Sequence, residues 1–216
     1  MKISKVTRSF LILSALCGFL LFTRLYKTGH TLMLGLTWNL FLAWLPLGFA
    51  LIARRAKDFK YLSLFFCGLW LLFFPNSPYI ITDLVHLQHL NQDIWYYDTL
   101  VIFLTAFTGL IVGVYSIKVV HSLCNLHFNK LTGWLLIFGS MMLSGFGIYL
   151  GRFSRLNSWD IVYKPAHLVR TCINDLQNPL ALKTTLLFGF VLSVLYISYY
   201  TIFLHENEFE KNVEQL

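Results

Sequence analysis

Asp83 and His86 stand three residues apart, the spacing that puts two side chains on one face of a helix. A carboxylate beside an imidazole would work as an acid–base pair, which makes these two the candidate catalytic residues. They belong to the stretch Phe74-Pro75-Asn76-Ser77-Pro78-Tyr79-Ile80-Ile81-Thr82-Asp83-Leu84-Val85-His86-Leu87. A second polar stretch reads Gly151-Arg152-Phe153-Ser154-Arg155-Leu156-Asn157-Ser158-Trp159-Asp160. In it, Arg152 and Arg155 would clamp a phosphate or carboxylate. Asn157 or Ser158 would cap a short turn holding Asp160, and Asn76 and Ser77 of the first stretch would orient the bound group. With His89, the first stretch also spells Asp-x-x-His-x-x-His. That string spreads around a helix rather than gathering on one side, so no metal is assigned, and no other cofactor follows from the spacing. The competing reading is structural: Arg152 locked to Asp83, Asp98 or Asp160, since an intramembrane charge is costly and usually paired.

The elements that must hold these residues are long apolar runs. A spanning helix needs about 20 apolar residues. Six stretches qualify, at about 9–26, 32–53, 61–82, 99–120, 131–151 and 184–204. The fold expected is an all-α polytopic transmembrane bundle forming one domain over 1–216, with no internal repeat. Pro75 and Pro78 each remove a backbone donor and disrupt the preceding turn. The third span should therefore break near Pro75–Pro78, with Ser77 as N-cap and a new helix from Pro78. Such a break in a membrane must be covered by protein or line a cavity. Asn39, inside the second span, needs a partner within the bundle. Gly109/Gly113 and Gly147/Gly151 have the small-xxx-small spacing of tight helix packing. Trp95-Tyr96-Tyr97-Asp98 reads as an interfacial anchor opening the fourth span, with Asp98 able to face the polar cluster. Leu168, Val169, Cys172, Ile173 and Leu176 recur at helical spacing between Pro165 and Asn178-Pro179, which predicts an amphipathic surface helix over about 165–177, placed to act as a lid.

Composition supports a membrane setting. The chain has 216 residues, 57% hydrophobic and 12% charged, about half the charged share of soluble domains. The net charge of +7 does not point to nucleic acid, because the basic residues cluster between apolar runs. Lys2, Lys5, Arg8, Arg54, Arg55, Lys57, Lys60, Lys118, Lys130 and Lys211 fall on one side if both termini are cytoplasmic. Arg24 and Lys27 then sit in an outer connection, and the long segment 152–183 carries five basic residues that argue the other way. In this orientation Asp83, Asp93, Asp98, Asp160 and Asp175 are extracytoplasmic, and the four Glu lie in an acidic cytoplasmic tail at 205–216. The N-terminal run resembles a signal peptide but has no A-x-A site, and reads as a first span. Cys17, Cys67, Cys124 and Cys172 show no pairing logic and read as free thiols, with Cys124 in a short loop.

The two polar stretches together resemble the bacterial domain-of-unknown-function family numbered 1361, over nearly the whole chain. The resemblance implies a multi-pass protein of a bacterial cytoplasmic membrane, and brings no reaction with it. Three functions compete on the residues. One is a non-enzymatic structural or accessory component or lipid binder, whose partners are the bilayer, a lipid headgroup, or a protein at the acidic tail. Another is a membrane enzyme acting on a lipid-linked or amphiphilic anionic substrate, with Asp83 and His86 as its acid–base pair. The last is a small transporter, favoured by the broken third span and disfavoured by the lack of mid-span acids or repeats.

Overall fold

The structure is a computed structural model. It describes the backbone of residues 4–29, 32–89 and 95–213, and the side chains of 4–27, 29, 34–85 and 95–202. The side chains of His86 and His89, and those of the acidic tail, lie outside the described residues. The helices are α1 (Lys5–Thr28), α2 (Leu32–Arg55), α3 (Lys60–Phe73), α4 (Asn76–Tyr79), a 3-10 helix (Ile80–His89), α5 (Trp95–His127), α6 (Lys130–Arg152), α7 (Asp160–Tyr163), α8 (Pro165–Asp175) and α9 (Pro179–Val213). No strand occurs among the described residues.

Six segments are long and apolar enough to cross a membrane: Lys5–Lys27, Leu34–Arg55, Lys60–Val85, Trp95–His127, Lys130–Arg152 and Pro179–Ile202. They mark the chain as a multi-pass membrane protein and match the six runs read from the sequence. Local chemistry fixes several ends. Ser4 accepts from the Thr7 amide at 3.1 Å to cap α1, and Gly29 closes that helix at φ 65°, a conformation glycine adopts without cost. Asn129 caps α6 by accepting from the Thr132 amide at 2.8 Å. Cys124 is not in a loop: it is buried inside α5, which extends to His127.

The most enclosed span is α5 and the least is α1. One apolar cluster joins α2, α3, α5, α6 and α9 through Ala50, Trp70, Ile117, Ile137, Met141 and Tyr196. A smaller one joins α1, α2, the 3-10 helix and α5 through Cys17, Leu40, Ala43, Ile80 and Ala106. Lipid tails drive no hydrophobic association, so close van der Waals packing and satisfied polar groups must hold such a bundle.

Both polar stretches lie at the same end, where α3, α4 and α6 finish and α5 and α9 begin; we call it the motif end. The surface helix expected over 165–177 is α8, with Val169, Ile173 and Leu176 exposed. Two tethers fix its C-terminal side: the Ser154 hydroxyl donates to Asp175 at 2.5 Å, and the Asn178 amide donates to the Tyr149 hydroxyl at 2.9 Å.

Candidate functional site

The third span bends at Pro75, but not by the stop and restart that Ser77-Pro78 suggests. Phe74 and Pro75 keep right-handed helical dihedrals, α4 begins at Asn76, and the chain then tightens into the 3-10 helix. Ser77 is therefore no N-cap. Its hydroxyl donates instead to the Ala43 carbonyl of α2 at 2.9 Å. That carbonyl lies next to Leu42, whose usual helical donor is removed by Pro46 inside α2. Pro46 breaks no span, and its place opposite Ser77 is visible only in the fold.

The interruption between α3 and α4 leaves backbone carbonyls to satisfy, and in hydrocarbon each must find an internal donor. Asn76 turns its amide back onto the Phe73 carbonyl at 2.8 Å. Ser158 of the second stretch donates to the Leu72 carbonyl at 3.0 Å and accepts from the Asn76 amide at 3.1 Å. The two polar stretches are thus stitched together at the bend.

Glycines let the bend fit. A Cβ at Gly113 of α5 would lie 2.6 Å from the Ser77 Cβ, and one at Gly109 would lie 3.3 Å from the Ser77 carbonyl oxygen. On the other side, a Cβ at Gly147 of α6 would meet Pro75 Cγ at 2.6 Å, and one at Gly151 would meet the Tyr79 ring at 3.1 Å. The two small-xxx-small pairs therefore grip the Pro75–Tyr79 turn from both sides.

The charged residues sort into separate pairs. Asp83 is buried on the 3-10 helix; it accepts from the Asn39 amide at 2.7 Å and stands 3.8 Å from the half-buried Arg152 guanidinium. Asn39 thereby finds its partner. Asp98 does not face this cluster. It takes a two-pronged bond from Arg24 of α1, through Nε and, at 2.7 Å, through Nη2, with both side chains buried. Arg24 is a core residue, not part of an outer loop. A lone Arg in an apolar run was the sequence signal, and its mate lies 74 positions away. Tyr97 is likewise more than an interfacial anchor, since its hydroxyl donates to the Leu20 carbonyl at 2.8 Å.

The two arginines have different surroundings. Arg155 is exposed and sits at φ 55°, in the left-handed region, while Arg152 turns to Asp83. Asn157 and Ser158 do not cap Asp160 with their side chains. The Asn157 backbone N–H donates to the Asp160 carboxylate at 2.7 Å, so Asp160 closes its own turn. Among the described residues, no three of His, Cys, Asp and Glu come together in a way that could hold a metal ion.

Beside the stitched bend lies a cavity of about 230 Å³. Leu42, Leu72, Leu150 and Leu156 supply apolar wall, Trp38 and Leu168 of α8 also line it, and Asn39, Asn76, Asn157, Ser158 and Tyr79 bring polar groups. It joins both polar stretches to the surface helix, and Asn39 connects it to Asp83.

The profile of a protein family of unknown function, DUF1361, matches residues 38–195. The chain belongs to this family. The matched region of this DUF1361 protein contains both polar stretches, the cavity and α8, and begins within α2, past Arg24. No curated protein and no solved structure matches the chain.

Proposed function

We propose that this DUF1361 protein is a non-catalytic, lipid-binding membrane component whose cavity at the motif end takes the headgroup of an amphiphile. One observation carries the reading: the two polar stretches and α8 converge on a single cavity with leucine walls and five amide or hydroxyl side chains. Small-molecule sites have that mixture, apolar lining with a few converging polar groups. At about 230 Å³ the cavity is below the roughly 300–1,000 Å³ of drug-sized pockets, so it suits a headgroup rather than a whole lipid. The enzyme reading is less well supported. Asp83 is 4% exposed, held by Asn39 and flanked by Arg152, a poor position for a general base.

Native mass spectrometry of protein extracted in mild detergent tests this. The expected result is one lipid adduct that survives activation. Leu168→Trp, on the exposed α8, should block the cavity mouth and remove the adduct without lowering the unfolding midpoint. Asp83→Asn should keep the adduct and cost about 1–3 kcal/mol of stability, through a weakened charged hydrogen bond. No adduct above the level of a helical-bundle control would refute the proposal. Loss of the adduct in Asp83→Asn at unchanged stability would move Asp83 into the working site.

The motif end faces away from the cytoplasm in this proposal. The clusters Arg54, Arg55, Lys57, Lys60 and Lys118, Lys130 all belong to the opposite end, as the positive-inside rule asks. The internal pairing of Arg24 and Arg152 also removes two of the charges that weigh against this orientation. Cys172 reports on it directly, because the other three cysteines lie within spans. Burial and the neighbouring Asp175 raise the Cys172 thiol above its ordinary value. A raised thiol pKa means less thiolate at neutral pH, so its reaction rate should climb with pH past the point, near about 8.5, where a free thiol levels off. A membrane-impermeant maleimide added to intact cells should label Cys172 slowly at pH 7 and progressively faster to pH 9.5. Labelling only after permeabilisation would reverse the orientation.

A further inference from the structure

If the cavity binds a lipid headgroup, its lining also specifies which kind. Among the described residues, none that lines the cavity is charged. Asp83 and Arg152 stand beside each other, with Asp83 nearly sealed from solvent, and Asp160 is engaged by the Asn157 backbone N–H. An anionic group entering here would give up its hydration with no cation in the lining to compensate, and an ammonium would do so with no carboxylate in the lining, both expensive.

The remaining hydrogen-bond capacity is specific. Asn39 uses one amide N–H on Asp83 and keeps the other, and Asn76 uses both of its own on the Phe73 carbonyl and Ser158. Each is left with a carboxamide oxygen, which only accepts. The Tyr79 hydroxyl and the Asn157 side chain have no hydrogen-bond partner among the described residues. The spare groups are thus two acceptors, one N–H donor on Asn39, one hydroxyl that both donates and accepts, and one complete carboxamide. A phosphate monoester or diester anion offers chiefly acceptors and would set oxygen against the carboxamide oxygens of Asn39 and Asn76. A group bearing several hydroxyls offers donors and acceptors together and no charge. Trp38 adds a broad aromatic surface at the rim, where it is 53% exposed and packs edgewise toward Trp159 at 6.3 Å. Flat aromatic faces suit the C–H surface of a sugar ring.

We infer that the cavity binds an uncharged polyhydroxylated headgroup, of the kind carried by a glycosyl lipid, with Asn39, Asn76, Asn157 and Tyr79 as its hydrogen-bonding residues; this rests on the lipid-binding function proposed for the same site. Asn39 and Asn76 are committed to the fold, so Tyr79 and Asn157 are the residues to vary.

The protein, purified in a detergent without a sugar head, is mixed with equal amounts of monoglucosyl diacylglycerol, phosphatidylglycerol and phosphatidylethanolamine of matched chains, and bound lipid is read by native mass spectrometry. The expected result is glucosyl lipid retained at least about tenfold over either phospholipid. Tyr79→Phe and Asn157→Ala should each weaken it by about 2–10-fold, the worth of one hydrogen bond, at unchanged unfolding midpoint. Free glucose in excess separates the two sources of this chemistry: displacement of the lipid at millimolar glucose would show a soluble-sugar site and overturn the glycosyl-lipid assignment. Preferential retention of phosphatidylglycerol or phosphatidylethanolamine would overturn the headgroup assignment while leaving lipid binding intact. Retention of no lipid would overturn lipid binding itself. Glucosyl lipid retained equally by both variants would place it outside this cavity, against the inference.

Discussion

Replacing Arg24 or Asp98 singly by leucine is expected to destabilise the protein by about 3–5 kcal/mol, whereas replacing both should cost far less than the sum. The reason is their burial, 4% for Arg24 and none of Asp98 exposed. Each single variant leaves one charge in the interior without its counter-ion, and the guanidinium loses both prongs of its bond to the carboxylate. The double variant removes both charges and their desolvation cost. Leucine on both helices would pack near Leu21, Leu36, Val101 and Ile102, the apolar cluster that surrounds this part of α1 and α5. Unfolding in a denaturing detergent, run as a double-mutant cycle, gives the coupling directly. Additive losses in the cycle would show that the two residues do not act as a pair. Lipid retention by the double variant should match that of the parent, because neither residue lines the cavity.

The second large effect concerns the grip on the Pro75–Tyr79 turn. Gly113→Ala puts a Cβ 2.6 Å from that of Ser77, and Gly147→Ala puts one 2.6 Å from Pro75 Cγ. Neither neighbour is the end of a flexible chain, so α5 or α6 must move away from the turn. Overpacking of this kind costs about 1–3 kcal/mol at each site. Both changes press on one short turn, so their effects should not add. Gly113→Ala also threatens the Ser77 bond to the Ala43 carbonyl, and Gly147→Ala the cavity wall it helps form. Lipid retention should fall in both. The contrast is Gly68→Ala and Gly139→Ala, where an added Cβ meets nothing within 4 Å. There the helix should gain stability, by about 0.5–1 kcal/mol from a residue with less backbone freedom. Equal effects at all four glycines would contradict the packing described.

The six spans were legible because bilayer thickness imposes a length that sequence reports directly, and α8 because its apolar residues recur at helical spacing between two prolines. The passage from α3 to α4 lies at Phe74 and Pro75, beside the prolines that stand out in the sequence. Its conformation was not legible, since a Ser-Pro pair reads as a helix start only when serine has no better acceptor, and the Ala43 carbonyl is one that no local pattern announces. Arg24 reads as a loop residue for a similar reason: the partner that makes it internal is far along the chain. The two polar stretches read as a set, and they do meet. They meet through Asn76 and Ser158, whereas Arg155 and Asp160 turn to solvent and to a local turn. His86 belongs to the 3-10 helix that carries Asp83, and its side chain lies outside the described residues.

The bond from Ser158 to the Leu72 carbonyl also sets an order of events at the ribosome. The acceptor is synthesised 86 residues before its donor. At about 5–20 residues per second, a delay on the order of ten seconds passes before Ser158 exists. During that interval the third span sits in the translocon or the bilayer without the Ser158 bond to its Leu72 carbonyl, and two further spans must thread before the donor arrives. Nascent chains arrested short of residue 158 should therefore hold this segment in a conformation different from that of the finished protein.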